Sequence, residues 1–368
     1  MEGRLNDLFV RLCEIRSPTG EEREVADTVI AELRALGLEV EEDGAAEAAG
    51  AGAGNVIARL PGRSERWVMF CAHLDTVPHP GRVEVVDDEG VFRSRGETIL
   101  GADNKAAVAV FMELVARHAQ EAPPVGIELA LTVAEEQGLR GAKALDLSRL
   151  RSEAGFVLDH ASAIGEVITT SPTQQRVLAD FTGVEAHAGI RPEAGSSAIA
   201  AAADAISRME LGRIDERTTA NVGRIEGGTS GNVVPGHCGI VAEARSLDPV
   251  RAAEVAGELS DACAWGATQH GCDVDVRVEE LFRGYEVPSS SPALAFAEGG
   301  LRRAGVEPRR TTTGGGSDAN ALIASGFDCV LLANGTEANH TAEESVSARN
   351  LAAMLEVCEG ILAEAAEC

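Results

Sequence analysis

Short apolar runs that end abruptly in acids or histidines are what most constrains this chain. Trp67-Val68-Met69-Phe70-Cys71-Ala72 leads to His73 and Asp75, and Pro78 follows. Residues 127–134, IELALTVA, lead to Glu135 and Glu136; Gly155-Phe156-Val157-Leu158 leads to Asp159; the run Asp328-Cys329-Val330-Leu331-Leu332 leads toward His340. Runs this short, bounded by breaks, read as buried strands. Between them lies helical text such as residues 101–119, where Val108, Phe111, Met112 and Val115 recur at helical spacing. Strands alternating with helices indicate an α/β sheet covered on both faces. Ligands of open α/β sheets bind beyond the carboxyl ends of the strands, where residues distant in sequence meet. His73 and Asp75, two apart in an extended segment, share one face there.

The texture changes between residues 170 and 282. Its order is strand (about 167–183), helix (195–209), two strands (219–227 and 238–247), helix (249–269) and strand (272–280), a ferredoxin-like βαββαβ arrangement. A 368-residue chain exceeds one ordinary core. The simplest organisation is one α/β domain built from residues 1–169 and 283–368, with residues 170–282 inserted as a second domain. The small-residue stretch 44–54, GAAEAAGAGAG, reads as a surface loop.

A formal net charge of −27 argues against nucleic acid or an anionic membrane as partner, since both need basic patches. The charged N-terminus has no apolar signal core, and no run of about 18 apolar residues occurs. Eight scattered cysteines without a C-x-x-C pair suit a reduced, cytoplasmic protein.

Each polar residue at a strand end has an ordinary structural reading. Asp103 or Asn104 would cap the helix that follows; Glu135-Glu136 would be a solvated strand end; His340 would sit in a polar loop. His73 is harder to dismiss, because a polar group at the end of a core strand needs partners. Together, two histidines and several carboxylates match the ligand preferences of zinc, cobalt or manganese.

The segments HLDTVP (73–78), GADNKAAVA (101–109), AEEQGLRGA (134–142), VLDH (157–160), GVEAHAG (183–189) and ANHTAEE (338–344) resemble the successive motifs of the M20 family of di-metal peptidases and amidohydrolases. They occur in that family's order over nearly the whole chain. GGGSDAN (314–320) resembles its peptidase T-like branch. The resemblance implies an αβα catalytic domain with a mixed sheet of the zinc-exopeptidase type, carrying an inserted ferredoxin-like α+β lid and dimerisation domain.

By the same resemblance, two divalent ions, zinc first with cobalt or manganese as alternatives, would be held by His73, Asp103 and Asp159 and by Asp103, Glu136 and His340. Asp103 would bridge them, and its peptide bond to Asn104 would be cis. Asp75 would fix the His73 tautomer. Glu135 would be general base toward a hydroxide between the ions, where two divalent charges against three carboxylates leave about +1. His187 would stabilise the oxyanion, reaching it from the partner of a homodimer. Asn232, Arg245, Gly315 and Gly316 would contact substrate, Arg245 by pairing with a free carboxylate.

The activity expected is that of an exopeptidase on short peptides, tripeptidase- or aminopeptidase-like. The alternatives are an amidohydrolase that deacylates N-acyl amino acids and a non-catalytic metal-binding scaffold. His79, His118, His160, His237 and His270 have no spacing that demands a role.

Overall fold

The computed structural model describes residues 2–367 and is mixed α/β, in two compact units. Among the described residues the first comprises 2–170, 286–313 and 317–367; the second comprises 171–285 with Gly314–Gly316. None of the described helices is long and apolar enough to cross a membrane.

The first unit is built on a nine-stranded sheet. Its centre runs in the order Gly126–Thr132, Trp67–His73, Ala154–His160, Cys329–Ala333, all mutually parallel. Antiparallel strands flank them: Val56–Leu60 on one side and Glu166–Ser171 on the other. Every residue of Gly126–Thr132 and of Cys329–Ala333 is buried. Because successive side chains point to opposite faces, both faces of the sheet are covered. The helices Ala102–His118 and Pro292–Arg303 supply part of that cover, with Ala348–Glu367 packed against both, and a ring cluster of Phe70, Phe111 and Phe156 lies between helix and sheet. Four parallel strands send their carboxyl ends the same way. His73 and Asp159 stand at two of those ends, and Glu135 and Glu136 follow a third.

A small four-stranded sheet completes this unit. In it Thr336–Glu337 and Ser345–Ser347 form a hairpin whose connecting loop carries His340.

The second unit is a five-stranded antiparallel sheet with two helices, Ala198–Arg208 and Pro249–Gln269. The helices are packed on one face through small residues such as Ala201, Ala205 and Gly266. Asp248 caps the longer helix by accepting from the Val250 amide, with Pro249 in the first turn.

Two local expectations differ from the structure. The strand expected across 167–183 is two strands, Glu166–Ser171 in the nine-stranded sheet and Thr173–Thr182 in the five-stranded one. The break is Pro172, which has no amide to give a ladder. The 44–54 stretch is not a loose loop: Ala45–Ala49 is helical, and Ala45, Ala49 and Ala53 are buried. A Cβ on Gly54 would meet the Asp43 carbonyl at 2.2 Å, so small residues are what this packing demands.

All seven described cysteines are free; Cys368 lies outside the described residues.

Candidate metal centre

The strand ends and loops of the first unit bring five residues together. One ligand atom each from His73, Asp103 and Asp159 lie within 4.8 Å of one another, and so do those of Asp103, Glu136 and His340. Asp103 belongs to both groups and faces them with different oxygens. Its Oδ1 is 3.2 Å from His73 Nε2, and its Oδ2 is 3.2 Å from His340 Nε2. His73 Nε2 also lies 3.4 Å from Asp159 Oδ1, and His340 Nε2 lies 3.0 Å from Glu136 Oε1.

Local backbone makes this possible. Asp103 begins the helix Ala102–His118 but keeps non-helical dihedrals, and the Asp103–Asn104 peptide is cis. The Asp103 carboxylate lies in the cluster, and no side chain caps this helix. His340 and Ala134 both have φ in the left-handed region, at 66° and 50°. Non-glycine residues held there concentrate at functional sites; these two set the loops that present His340 and the Glu135-Glu136 pair.

The supporting contacts depart from the expectation at Asp75. His73 Nδ1 is 2.8 Å from the Asp75 backbone carbonyl, whereas the Asp75 carboxylate is 3.6 Å away. The carbonyl accepts from Nδ1–H, which leaves Nε2 free to face the acids. The Asp75 carboxylate is taken instead by the amides of Glu135 at 2.9 Å and Glu136 at 3.3 Å, and by the Thr19 hydroxyl at 2.7 Å. Asp75 thus orients the imidazole by its main chain and the two glutamates by its side chain.

The electrostatics show a place built for positive charge. Burial pushes Asp159 well above the usual carboxylate range, and the Asp103 charge pushes the same way. Asp103 is held low: burial opposes this, but the His340 and His73 imidazoles outweigh it. His340 is raised to about 10 by its contacts with Asp103 and Glu136. Burial alone would lower His73, yet the charge of Asp159 and bonds to Asp103, Asp159 and Asp75 lift it well above its ordinary value. Around the cluster, Asn104 Oδ1 and Asn339 Oδ1 are buried without a hydrogen-bond donor, and Glu136 Oε1 has only the His340 imidazole beside it. A donor set of two imidazoles and three carboxylates, with orphaned oxygens beside it, fits two divalent cations of the zinc, cobalt or manganese type.

Glu135 is buried at the edge of the cluster. Desolvation raises its carboxyl well above the ordinary range; His73 opposes the shift, while Asp159, Asp318 and Glu136 add to it.

The remaining candidates lie in the second unit and form two groups. His187 is exposed on a two-residue strand paired with Val233–Val234, and the Ala188 amide donates to the Asn232 carbonyl at 3.0 Å. His187 and Asn232 are therefore neighbours. Arg245 is engaged through three nitrogens: Nε and one terminal nitrogen reach Glu243 at 3.0 and 3.1 Å, and the other reaches the Gly314 carbonyl at 2.9 Å. A substrate carboxylate would meet this guanidinium already paired with Glu243. The Gly315 carbonyl accepts from Ser171 at 2.9 Å, and a Cβ on Gly316 would meet the Phe282 ring at 2.4 Å.

Several residues at the centre have no functional role in the sequence reading, where Asn104 enters only as a possible cap and as the partner of Asp103 in a cis peptide. Asn339 donates to Asp103 Oδ2 at 2.9 Å, and Asn104 donates to Asp159 Oδ1 at 2.7 Å. Glu344 binds the turn that precedes Asp103. Asp318 is buried in reach of Thr132 and Cys71, and desolvation raises its carboxyl to about 6. Asn104, Glu344 and Asp318 all lie inside the family-like segments, so adjacency to a motif was the available signal.

Comparison with known proteins agrees with the fold. The family model described as Peptidase family M20/M25/M40 matches residues 69–364, and the chain belongs to that family. It is thereby a peptide hydrolase of a metal-dependent kind. Over its whole length it is 39% identical to the protein YqjE of Bacillus subtilis, covering 99% of that protein. Among solved structures it is similar to an aminopeptidase PepT from Bacillus cereus, at 38% identity and a TM-score of 0.85, covering 100% of this chain and 99% of that one. A tripeptidase from Staphylococcus aureus shows 34% identity and a TM-score of 0.91, again covering 100% and 99%.

Proposed function

We propose that this chain is a dinuclear metal-dependent exopeptidase that removes residues from short peptides, with tripeptidase or aminopeptidase character. The observation that carries the reading is the pair of three-residue groups sharing Asp103, with Glu135 buried beside them. The aminopeptidase and tripeptidase similarities, each over the full chain, support the substrate class.

In this reading His73, Asp103 and Asp159 hold one ion, and Asp103, Glu136 and His340 the other. When bound, such a pair polarises the scissile carbonyl and acidifies water. Zinc is the first candidate, with cobalt and manganese next. Glu135 takes a proton from the attacking water and gives it to the departing amine, for which a carboxyl with a raised pKa is suited. Asp75 keeps Glu135 in place through its amide. Asn232, Arg245 and the Gly314–Gly316 segment bind the rest of the peptide, Arg245 by fixing the Gly314 carbonyl.

The test is a panel of free tripeptides, N-acetylated tripeptides and N-acetyl amino acids with zinc, cobalt or manganese added. Cleavage of free tripeptides is expected; cleavage confined to N-acetyl amino acids would replace this reading with the amidohydrolase one.

His187 is proposed to donate to the carbonyl oxygen as charge develops there, with the second unit acting as lid and as the contact surface of a homodimer. Every large apolar residue that is exposed among those described, including Val184, Ile190, Ile225 and Val278, lies in residues 171–285, which supports a partner on that unit. A cytoplasmic location agrees with the free cysteines. His187→Ala is expected to lower kcat by about 10²-fold or more. If His187 serves the partner's centre, mixing His187→Ala with the inactive Glu135→Gln variant restores part of the activity. An unaltered kcat would remove His187 from the chemistry, and a mixture no more active than its components would confine each site to one chain.

A further inference from the structure

Glu344 lies four residues beyond His340, in the same hairpin, and the residue is 1% exposed. A buried carboxylate persists only where donors surround it. Here the donors are three backbone amides of one turn. Oε2 accepts from Leu100 at 2.8 Å and from Gly101 at 2.7 Å, and Oε1 accepts from Asp103 at 2.9 Å. That turn cannot be set by local preference alone. Gly101 sits at φ 77°, in the left-handed region, and Asp103 and Asn104 depart from helical dihedrals where the helix begins. Amides that would otherwise be the unpaired donors of a helix start are gathered onto one carboxylate.

From this we infer that Glu344 is a positioning residue of the metal centre: it fastens the turn that carries Asp103 to the hairpin that carries His340, and so fixes the distance between the two residues that close the second ligand group. The inference rests on the metal-centre reading above. Glu344 belongs to none of the ligand groups. Its part is to hold the Asp103 backbone while the side chain is shared between the two groups, so that neither oxygen can follow one ion at the expense of the other. Outer partners that orient ligands in this way carry much of a site's affinity.

Glu344→Gln separates this role from that of a fold staple. A Gln side chain has one acceptor oxygen. Turned toward Leu100 and Gly101 it keeps two of the three bonds, and its NH₂ then opposes the Asp103 amide. The staple is largely retained while the grip on Asp103 is lost. The exposed neighbour serves as control in Glu343→Gln.

Both variants and the wild type are stripped with chelator. Three quantities are then measured: Tm without metal, binding of zinc and cobalt by titration, and kcat and KM on a tripeptide at saturating metal. Wild type and Glu343→Gln are expected to bind two ions alike. Glu344→Gln is expected to keep a metal-free Tm within a few degrees of wild type, to bind cations about 10–100-fold more weakly, and to lose kcat by a similar factor. Its KM should stay nearly unchanged. Where the Gln variant does not fold, Glu344→Asp, which keeps the charge but is too short to span all three amides, takes its place with the same expected direction.

Wild-type metal affinity and kcat in the folded variant would overturn the inference, as would a loss confined to Tm. A wild type that itself binds no divalent ion would overturn the metal-centre reading first, and is told apart by being seen before any substitution.

Discussion

Glu135→Gln is expected to lower kcat by roughly 10²–10⁴-fold, the usual worth of a positioned general base. Gln has the shape of Glu but neither accepts nor returns a proton at neutral pH. Glu135 is outside the two groups built on Asp103, although it also lies within ligand distance of His73 and Glu136; Gln keeps an oxygen in that place, so the variant should keep its two metals and its KM. The sign of the pH dependence also follows. Burial raises the Glu135 carboxyl in the metal-free protein, and bound cations would draw it back down; in either state the base form appears as pH rises through the pKa. The acid limb this gives wild type in a plot of kcat against pH should vanish in the variant. Initial rates on a tripeptide from pH 5 to 9, with metal content assayed in parallel, check both parts. A variant with wild-type turnover would assign the proton transfer to another group.

Asp103→Ala should be at least as damaging, by a different route. Each of Asp159, Glu136 and His340 completes only one of the groups built on Asp103, whereas Asp103 contributes an oxygen to both. Its removal leaves His73 with Asp159 on one side and Glu136 with His340 on the other, two protein ligands each. Loss of a shared ligand should exceed the roughly 10–100-fold in metal affinity that follows loss of an outer partner. The variant should fall below one bound ion per chain and show no measurable tripeptide cleavage. Asp159→Ala and His340→Ala each damage one group and should retain one ion more tightly than the other.

What the sequence made legible follows from how strongly burial constrains each residue. A histidine closing the run Trp67–Ala72 cannot be accommodated at a strand end without partners, and the acids after the other parallel strands share that predicament. These positions stand out because apolar text surrounds them. His340 follows its strand at a distance, and family-like text was needed to single it out. Glu344 is buried as deeply as His73, yet apart from its place at the end of the family-like segment ANHTAEE its polar surroundings do not mark it as buried. Only the fold reveals that the amides of Leu100, Gly101 and Asp103 arrive beside it.

Asp75 was legible as a partner of His73 but not in its division of labour. Which atom of a residue meets the imidazole depends on a turn that residue types do not specify. Pro172, a visible breaker, divides what alternation presents as one strand into two strands of different sheets. The alanine and glycine run at 44–54 shows the converse: composition alone does not distinguish a loose linker from a segment packed so closely that only small residues fit.

The central claim is that Asp103 joins two cation sites at the carboxyl ends of the parallel strands. Anomalous diffraction from crystals soaked in manganese, for wild type and Asp103→Ala side by side, tests it most directly. Two peaks about 3.5–4 Å apart are expected in wild type, one against His73 and Asp159 and the other against Glu136 and His340, with both lost or much weakened in the variant. A wild type showing no peak there, or a variant whose two peaks persist at full strength, would contradict it.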